Sequence, residues 1–525
     1  MIFKRRVAVL TVVVLLICSA FSLTACSKKS IQTNASNLSN TLVYAGENTD
    51  TINPILNDHG ELASIIFSGL MKYDAKGTPV VDLAKSYTYD DNSLTYTFIL
   101  RQGVSWHDGT PFTADDVVFT YNKLTTDKTL SASVLSEFVD IASVKARDQY
   151  TVDITLSKYD AAMLNYFTIG ILPRHLLEGK NLTTDPFNQK PVGTGRYQFV
   201  EWDKAGGAIT LVRNEKYYDK VPSIEKIVYK TVAVESTKAL MLESGEADLA
   251  WLNAKYAEKF RNKQGFVNHD FKTADYRAVS MDFRSDFWKQ NRDSIGVLNY
   301  AIDKDAVVKS VLNSQGCTAY SPIQLNAFGG NKDADIYKYD LNKFAEEMNK
   351  LSWTKGSDGI YERNGQKFHF KIQVRDYEEE RIDIANIVSK QLKEAGVNME
   401  IALVTKFDWS KPYNGFLAGY AVEFDPDATY QQFASDGSGN TMKYSNSVVD
   451  NLLTQARHTK SNPDRKDLYG KFEVEFAKDP ASVLVAYLDG NYVGISGLKG
   501  LNTTRVLGHH AVGVMWNIEE WTLSR

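Results

Sequence analysis

The chain contains 525 residues, of which 43% are hydrophobic and 24% are charged. This length exceeds one ordinary core, so we expect two or more domains. The formal charge of −4 becomes −7 without the three basic residues at positions 4–6, and no dense block of lysine and arginine follows them, which argues against nucleic acid as a partner.

Residues 1–25 have the pattern of a secretory signal. Lys4, Arg5 and Arg6 precede an apolar run over residues 7–17, and small residues lead to Cys26. The run is shorter than the roughly 20 apolar residues that a membrane-spanning helix needs. A cysteine directly after Leu-Thr-Ala resembles a bacterial lipoprotein signal, which implies that Cys26 becomes the acylated first residue of the mature chain. We therefore expect a lipid anchor on the extracytoplasmic face of the cell membrane, at the cell surface or in the periplasm, with residues 26–40 as a polar, flexible tether.

Cysteine is scarce after the leader, where only Cys26 and Cys317 remain. If Cys26 is acylated, no disulfide can form within the chain. We expect Cys317 to be a small, buried and inert side chain.

From residue 41 onward, stretches with strand periodicity and helix periodicity follow each other. Thr113 and Asp116 are spaced as a capping box, and Gly245 and Gly396 are placed to end helices. In chain order, we predict a strand at 41–45, a helix at 61–70, a strand at 94–100, a helix from 114, strands at 208–213 and 227–232, helices at 236–244 and 379–395, and a strand at 399–404. This order of elements predicts an α/β fold.

The sequence lacks the common motifs of enzymes and cofactor sites. It contains no Gly-x-x-x-x-Gly-Lys-Ser/Thr loop for phosphate, no Cys-x-x-Cys pair for zinc and no Gly-x-Ser-x-Gly elbow. We therefore expect no catalysis and no cofactor.

Three adjacent stretches carry a family resemblance: 94–101 (LTYTFILR), 103–109 (GVSWHDG) and 111–117 (PFTADDV). Supporting stretches are 67–73 (FSGLMKY), 192–197 (VGTGRY), 214–218 (NEKYY), 244–248 (SGEAD) and 425–427 (DPD). In this order, they resemble the extracellular solute-binding proteins of family 5, the peptide- and nickel-binding proteins of ABC importers. The resemblance spans nearly the whole mature chain. It implies an α/β, two-lobed fold of the periplasmic-binding-protein type, with two crossover strands and an extra inserted subdomain.

The family pattern also implies domain boundaries and partners. Lobe 1 is expected to consist of subdomain I (41–71, 189–280 and 491–525) and subdomain II (72–188), and lobe 2 of residues 281–490. A ligand between the lobes would hold them closed by contacting both. The resemblance implies a monomeric receptor that delivers a small ligand to an ABC permease and its ATPase subunits.

A peptide is one ligand class that the resemblance allows. Peptide binders of this family usually place a buried Asp for the ligand's ammonium just before an acidic-Pro turn. Here Glu423 precedes Asp425 and Pro426, at a spacing shorter by about one residue, which can re-aim the carboxylate. Glu423 and Asp425 are therefore candidate peptide contacts, and an exposed loop carboxylate is the alternative for Glu423.

A nickel or other transition-metal chelate is the preferred ligand class, and an oligopeptide or dipeptide is the alternative. Ni(II) favours imidazole nitrogen, with oxygen ligands completing the shell. His59 and Glu61 near the mature start, with His509 and His510 near the end, resemble one nickel-binding branch of the family. The family pattern places both ends in one subdomain, so we expect these residues to converge, with one histidine of the pair facing the cleft. Ordinary hydrogen bonding at a helix start or turn is the alternative for each histidine.

Two further sets of residues are candidate ligand contacts. Arginines near the expected lobe junction are candidates for binding a ligand carboxylate, with surface salt bridges as the alternative: Arg277, Arg284 and Arg375. Aromatic residues are candidates for the cleft wall, with core packing as the alternative: Trp409, Tyr420 and Trp516.

Overall fold

The computed structural model describes residues 40–56 and 60–525. In this part of the chain, the strands are β1 (Thr41–Gly46), β2 (Met71–Tyr73), β3 (Pro79–Val81), β4 (Ala84–Asp90), β5 (Thr95–Leu100), β6 (Ile141–Asp148), β7 (Thr151–Leu156), β8 (Tyr197–Asp203), β9 (Ala208–Arg213), β10 (Lys226–Thr231), β11 (Leu249–Leu252), β12 (Phe266–Met281), β13 (Gly316–Thr318), β14 (Thr354–Lys355), β15 (Tyr361–Arg363), β16 (Gln366–Lys367), β17 (His369–Arg375), β18 (Asn398–Val404), β19 (Gly415–Ala421), β20 (Ser482–Ile495), β21 (Leu498–Lys499) and β22 (Thr522–Leu523).

The α-helices of the same residues are α1 (Ala63–Ile66), α2 (Ala114–Thr126), α3 (Ala132–Glu137), α4 (Met163–Tyr166), α5 (Arg174–Leu177), α6 (Glu235–Ser244), α7 (Ala254–Ala257), α8 (Asp286–Asn291), α9 (Lys304–Ser310), α10 (Leu341–Lys350), α11 (Glu379–Ala395), α12 (Ala428–Phe433), α13 (Ser447–His458) and α14 (Asn462–Lys478). Within these described residues, we find no helix with the length and apolarity needed to cross a membrane.

One large mixed sheet runs through the molecule in the order β18-β17-β19-β12-β20-β11-β1-β10-β9-β8, with β13 also paired to β20. Its two longest strands, β12 and β20, are antiparallel neighbours at the centre. Parallel neighbours occur in both halves of the sheet, β1 with β10 in one half and β17 with β18 in the other. Parallel pairs need crossover connections, which is the reason that helices alternate with these strands.

Two large clusters of buried apolar side chains lie at opposite ends of the central strands. Phe271 of β12 and Tyr492 of β20 belong to the first cluster, which otherwise draws on residues 42–249 and 498–521. Val279 and Val483, on the same two strands, belong to a second cluster within residues 279–488. We call the parts built around these clusters lobe 1 and lobe 2. Two continuous strands therefore connect the lobes, while the domain boundaries given above stay predictions.

Local capping signals agree closely with the helix ends. The capping box between Thr113 and Asp116 is present at the start of α2. Gly245 ends α6 with a φ of 76°, and Gly396 ends α11 with a φ of 103°. Glycine reaches this left-handed region without steric cost, so these two positions stop their helices where the sequence predicts.

The helix predicted at 61–70 is wrong beyond a single turn, because only Ala63–Ile66 is α-helical. The following residues are extended and hydrogen-bond to another segment: the Ser68 carbonyl accepts from Ile171, and the Met71 N–H donates to the Phe167 carbonyl. These tertiary hydrogen bonds satisfy the backbone groups that a longer helix would have used.

The prediction that Cys317 is buried is also wrong, because its side chain is exposed. Cys317 lies on β13, a three-residue strand paired only to β20 among the described strands. A strand at such an edge leaves one side open to solvent.

Candidate functional site

A cavity of about 1010 Å³ lies between the two lobes. This volume is at the upper end of the roughly 300–1,000 Å³ that is typical of small-molecule sites. Most of the predicted site residues line it: Glu61, Arg277, Arg375, Trp409, Tyr420, Glu423, His509 and His510. The fold therefore brings together residues that are up to about 450 positions apart in the sequence.

A bulge in β12 positions one wall of this cavity. Residues 273–275 stand opposite Leu488 alone in β20, so three residues face one. The backbone of Leu507 pairs with the bulged stretch through two hydrogen bonds of 2.8 and 2.9 Å. We call residues 507–513 the terminal segment. Because the bulge accepts this segment between the lobes, the histidine pair comes to lie beside Asp275.

Asp275 holds the terminal segment at two points. Its Oδ1 lies 2.8 Å from Nδ1 of His509, and its Oδ2 accepts the backbone N–H of His510 at 3.1 Å. Burial lowers the pKa of His509 to about 3, although the Asp275 carboxylate opposes this shift. The imidazole is therefore neutral near pH 7, and neutral imidazole is the form that binds transition metals.

His510 also lines the cavity, so the expectation that one histidine of the pair faces the cleft is wrong. A left-handed φ of 55° at His510 interrupts the alternation of side chains, and the two ring centroids lie 4.2 Å apart. Nδ1 of His510 lies 3.2 Å from Oε2 of Glu47, and its Nε2 lies 3.2 Å from Nη2 of Arg381. Each histidine thus has a carboxylate beside its Nδ1.

Arg277 is neutralised within the protein. Its Nη1 lies 2.5 Å from Asp275, its Nε lies 2.9 Å from Glu380, and the residue is 3% exposed. Burial alone would raise the pKa of Asp275, but the Arg277 guanidinium and the neighbouring histidines outweigh it and lower that pKa. Arg277 therefore lines the cavity as part of a buried ion-pair network that joins β12 to α11.

Arg375 and Arg381 share one carboxylate at the wall of lobe 2. Glu378 lies 3.3 Å from Nη1 of Arg375 and 2.7 Å from Nη1 of Arg381. Burial and the nearby Arg277 lower the pKa of Arg381 to about 10, so it stays charged near pH 7. Arg284 instead binds Asp282, and it is not among the described residues that line the cavity.

Glu423 and Asp425, the candidate peptide contacts, have different positions. Glu423 lines the cavity, and burial raises its pKa to about 7. The backbone N–H of His509 donates to its carboxylate, so Glu423 links lobe 2 to the terminal segment. Asp425 forms an ion pair of 2.8 Å with Arg465 and is not among the described cavity residues.

Glu61 lines the cavity, but its carboxylate is bound by two tyrosines. Tyr44 donates to Oε2 at 2.6 Å and Tyr492 donates to Oε1 at 2.9 Å. Burial raises the pKa of Glu61 to about 7, and these hydrogen bonds oppose the shift. Since Tyr492 also lies 3.0 Å from the carbonyl of Ala511, this cluster supports the terminal segment.

Of the three aromatic candidates, two line the cavity and one does not. Trp409, which is 41% exposed, and Tyr420 line the cavity. Trp516 lies in lobe 1 with the Arg505 guanidinium 5.5 Å from its ring centroid, and it is not among the described residues of the cavity wall.

Two predicted residues, His59 and Cys26, lie outside the described residues. Within residues 40–56 and 60–525, no group of three or more His, Cys, Asp and Glu side chains is arranged to hold a metal ion.

The sequence reasoning missed Glu47, Asp275, Glu378 and Arg381. One usable signal was present in β12, where Asp275 and Arg277 interrupt a run of residues that the structure buries throughout. Charged residues are rarely fully buried unless they are paired, so two of them in such a strand indicate a network. The sequence offers no comparable signal for Glu47, because its partner His510 is 463 residues away.

Comparison with known proteins agrees with this architecture. Residues 78–441 match the family model of the bacterial extracellular solute-binding proteins, family 5 Middle. The oligopeptide-binding protein AppA of Bacillus subtilis is 28% identical over 494 residues, which cover 89% of this chain and 87% of AppA.

Solved structures show the same fold. NikZ from Campylobacter jejuni, in complex with Ni(L-His), superposes with a TM-score of 0.85 and 34% identity, covering 93% of this chain and 100% of that one. AppA from Bacillus subtilis, in complex with a nonapeptide, superposes with a TM-score of 0.80 and 24% identity, covering 92% of this chain and 99% of that one.

These findings confirm the predicted two-lobed α/β fold and the predicted family. Members of the family are extracellular or periplasmic substrate-binding proteins, not enzymes, and they work with the permease and ATPase of an ABC importer. The chain belongs to the bacterial extracellular solute-binding proteins of family 5 and is the solute-binding protein of an ABC importer.

Proposed function

We propose that this protein captures a nickel chelate, such as Ni(II) bound by L-histidine, and delivers it to its permease. The observation that carries the proposal is the pair His509 and His510, which line the cavity together with a carboxylate beside each Nδ1. Metal-binding histidines commonly donate their second ring N–H to a carboxylate, and Ni(II) favours imidazole nitrogen. The 34% identity to NikZ supports the same ligand class.

A chelate suits this cavity better than a bare ion. The volume of about 1010 Å³ leaves room for organic groups around the metal. Arg375 and Arg381 line the cavity on the side of lobe 2, and guanidinium groups bind carboxylates in paired hydrogen bonds. A chelator with carboxylates would therefore contact lobe 2 while the metal contacts the histidines of lobe 1, and contacts to both lobes favour the closed state.

Calorimetric titration of the mature protein with Ni(II)–L-histidine tests the proposal. His59→Ala, His509→Ala and His510→Ala are compared with His369→Ala, whose exposed imidazole on β17 pairs with Glu400 at 3.2 Å. We expect at least about tenfold weaker binding, or about 1.4 kcal/mol, when a metal ligand is removed, and no change for His369→Ala. Parental affinity in all four variants would refute nickel binding by these histidines.

A peptide is the second candidate ligand, because Glu423 presents a carboxylate to the cavity. AppA, which is solved with a nonapeptide, has the same fold. Its carboxylate is less available to a ligand ammonium, because the His509 N–H and the nearby Arg505 already engage its charge. If peptides are bound, Glu423→Gln should weaken the binding of peptides with free amino ends and leave the binding of N-acetylated peptides unchanged in calorimetry.

We also propose that the receptor is a monomer without a resident cofactor, held on the extracytoplasmic face of the cell membrane through acylated Cys26. The sequence pattern Leu-Thr-Ala-Cys supports the anchor. Mass spectrometry of the mature N-terminus tests it, and an unmodified Cys26 would refute it. Sedimentation of the soluble part tests the oligomeric state.

A further inference from the structure

Asp275 lies inside one of the two strands that connect the lobes, yet its contacts are with the terminal segment. Its side chain is 3% exposed, and it lies in the bulge of β12 that accepts Leu507. One carboxylate oxygen contacts the ring of His509, while the other accepts the backbone N–H of His510. The carboxylate therefore holds both the direction of the His509 ring and the backbone that carries it.

The contact between Asp275 and His509 determines which ring nitrogen carries the proton. An ionised carboxylate only accepts hydrogen bonds, so Nδ1 of His509 must donate across the 2.8 Å distance. In a neutral imidazole, the lone pair then resides on Nε2. The His510 ring has the same proton position, but its Nε2 faces the Arg381 guanidinium of lobe 2 at 3.2 Å. Nε2 of His510 therefore already contacts lobe 2.

The contacts of the Asp275 carboxylate extend into lobe 2 through Arg277. Arg277 binds Asp275 at 2.5 Å and Glu380 at 2.9 Å, and Glu380 lies in the first turn of α11. A continuous chain of charged groups therefore runs from the His509 ring, through the connecting strand, to a helix that borders the cavity. Buried networks of this kind restrict the orientation of each member.

We propose that Asp275 is a positioning residue for the ligand. It keeps His509 in the Nδ1–H form, so that Nε2 offers its lone pair to the metal of the captured chelate, and it ties the ring to the strand about which the lobes close. This inference rests on the proposed nickel function. Partners that orient a metal-binding imidazole typically contribute about 10- to 100-fold to metal affinity.

Nitrogen NMR of the histidine rings in the metal-free parent protein tests the tautomer without any variant. We expect His509, assigned by its loss in His509→Ala, to carry its proton on Nδ1. A His509 ring protonated on Nε2 would overturn the positioning role, whether or not nickel binds.

Calorimetry with Ni(II)–L-histidine tests the consequence. In Asp275→Asn, the amide can donate to Nδ1 and favour the Nε2–H form, so we expect that form in NMR and about 10- to 100-fold weaker binding. Asp270→Asn is the matched control, because Asp270 lies on the same strand in a surface ion pair with Arg261. Parental affinity in Asp275→Asn would overturn the positioning role alone, whereas a parent protein that binds no nickel chelate would overturn the proposed function.

Discussion

Gly419→Ala is the most direct test of how tightly the two lobes close at the candidate site. Gly419 lies on β19 opposite Arg277 of β12. A Cβ atom at this position would lie 2.4 Å from Nη1 of Arg277, 2.5 Å from Cε1 of His509 and 2.9 Å from Nη2 of Arg381. All three distances are far shorter than carbon contacts of about 3.5–4.0 Å. A single methyl group therefore collides with groups from three elements at once.

The cost of this methyl group follows from what holds its neighbours. His509 is bound by Asp275, and Arg277 is bound by Asp275 and Glu380, so none of these groups can move without breaking a buried contact. Overpacking of this kind costs about 1–3 kcal/mol. Of the three clashes, the one with the His509 ring at 2.5 Å lies between lobe 1 and lobe 2, so this part of the penalty opposes closure. We expect ligand affinity to fall by about 5- to 150-fold, the factor that corresponds to this energy.

Calorimetry with Ni(II)–L-histidine measures the loss, and small-angle scattering measures closure. The matched control is Gly494→Ala, a strand glycine of the same sheet whose added Cβ would meet its nearest atom at an ordinary 3.5 Å. We expect the control to bind and compact as the parent does. If Gly419→Ala kept its affinity within about twofold, or if the control lost as much, the reasoning from this close approach would be refuted.

Three further substitutions test other parts of the site. Burial raises the pKa of Glu61 to about 7, and the side chain of Glu61→Gln cannot ionise. The parent should therefore lose stability relative to this variant as pH rises from about 4.5 through 7. The same difference in melting temperature between parent and variant at both pH values would contradict this. Tyr166 of lobe 1 donates a 2.5 Å hydrogen bond to Asp427 of lobe 2. Tyr166→Phe should therefore speed ligand release about tenfold in stopped-flow experiments. An unchanged release rate would show that this hydrogen bond does not stabilise the closed state. A Cβ at Gly508 would lie 1.6 Å from Oε1 of Glu423. Gly508→Ala should therefore weaken ligand binding in calorimetry. A similar loss of affinity when Gly508→Ala is made in Glu423→Ala protein would exclude this clash as the cause.

Local signals in the sequence predicted much of the secondary structure. The capping box at Thr113 and the left-handed glycines 245 and 396 act within one helical turn, so their effect does not depend on the fold. The helix predicted at 61–70 failed where tertiary hydrogen bonds from residues 167–171 replaced helical ones. Helical periodicity describes a side-chain pattern, and it contains no information about such distant backbone partners.

The site was only partly predictable for the same reason. The histidine pair was found because its spacing resembles a family pattern, but Asp275 is 234 residues from His509 and meets it only through the bulge. The sequence predicts for Glu423 either a peptide anchor or an exposed loop carboxylate. The structure places its carboxylate in the cavity wall and against the terminal segment at Gly508, and its role as a peptide contact stays a prediction.

The position of the site on the connecting strand has a consequence for binding. In a receptor that closes on its ligand, the ligand shifts the equilibrium only by contacts that differ between the open and closed states. Asp275 and Arg277 lie on β12 itself, His509 is held by Asp275, and Gly419 lies on the strand next to β12. The groups proposed to orient the metal therefore belong to, or pair with, the strands that connect the lobes. Binding and closure would then share atoms, so a substitution in this network should change affinity and closure together.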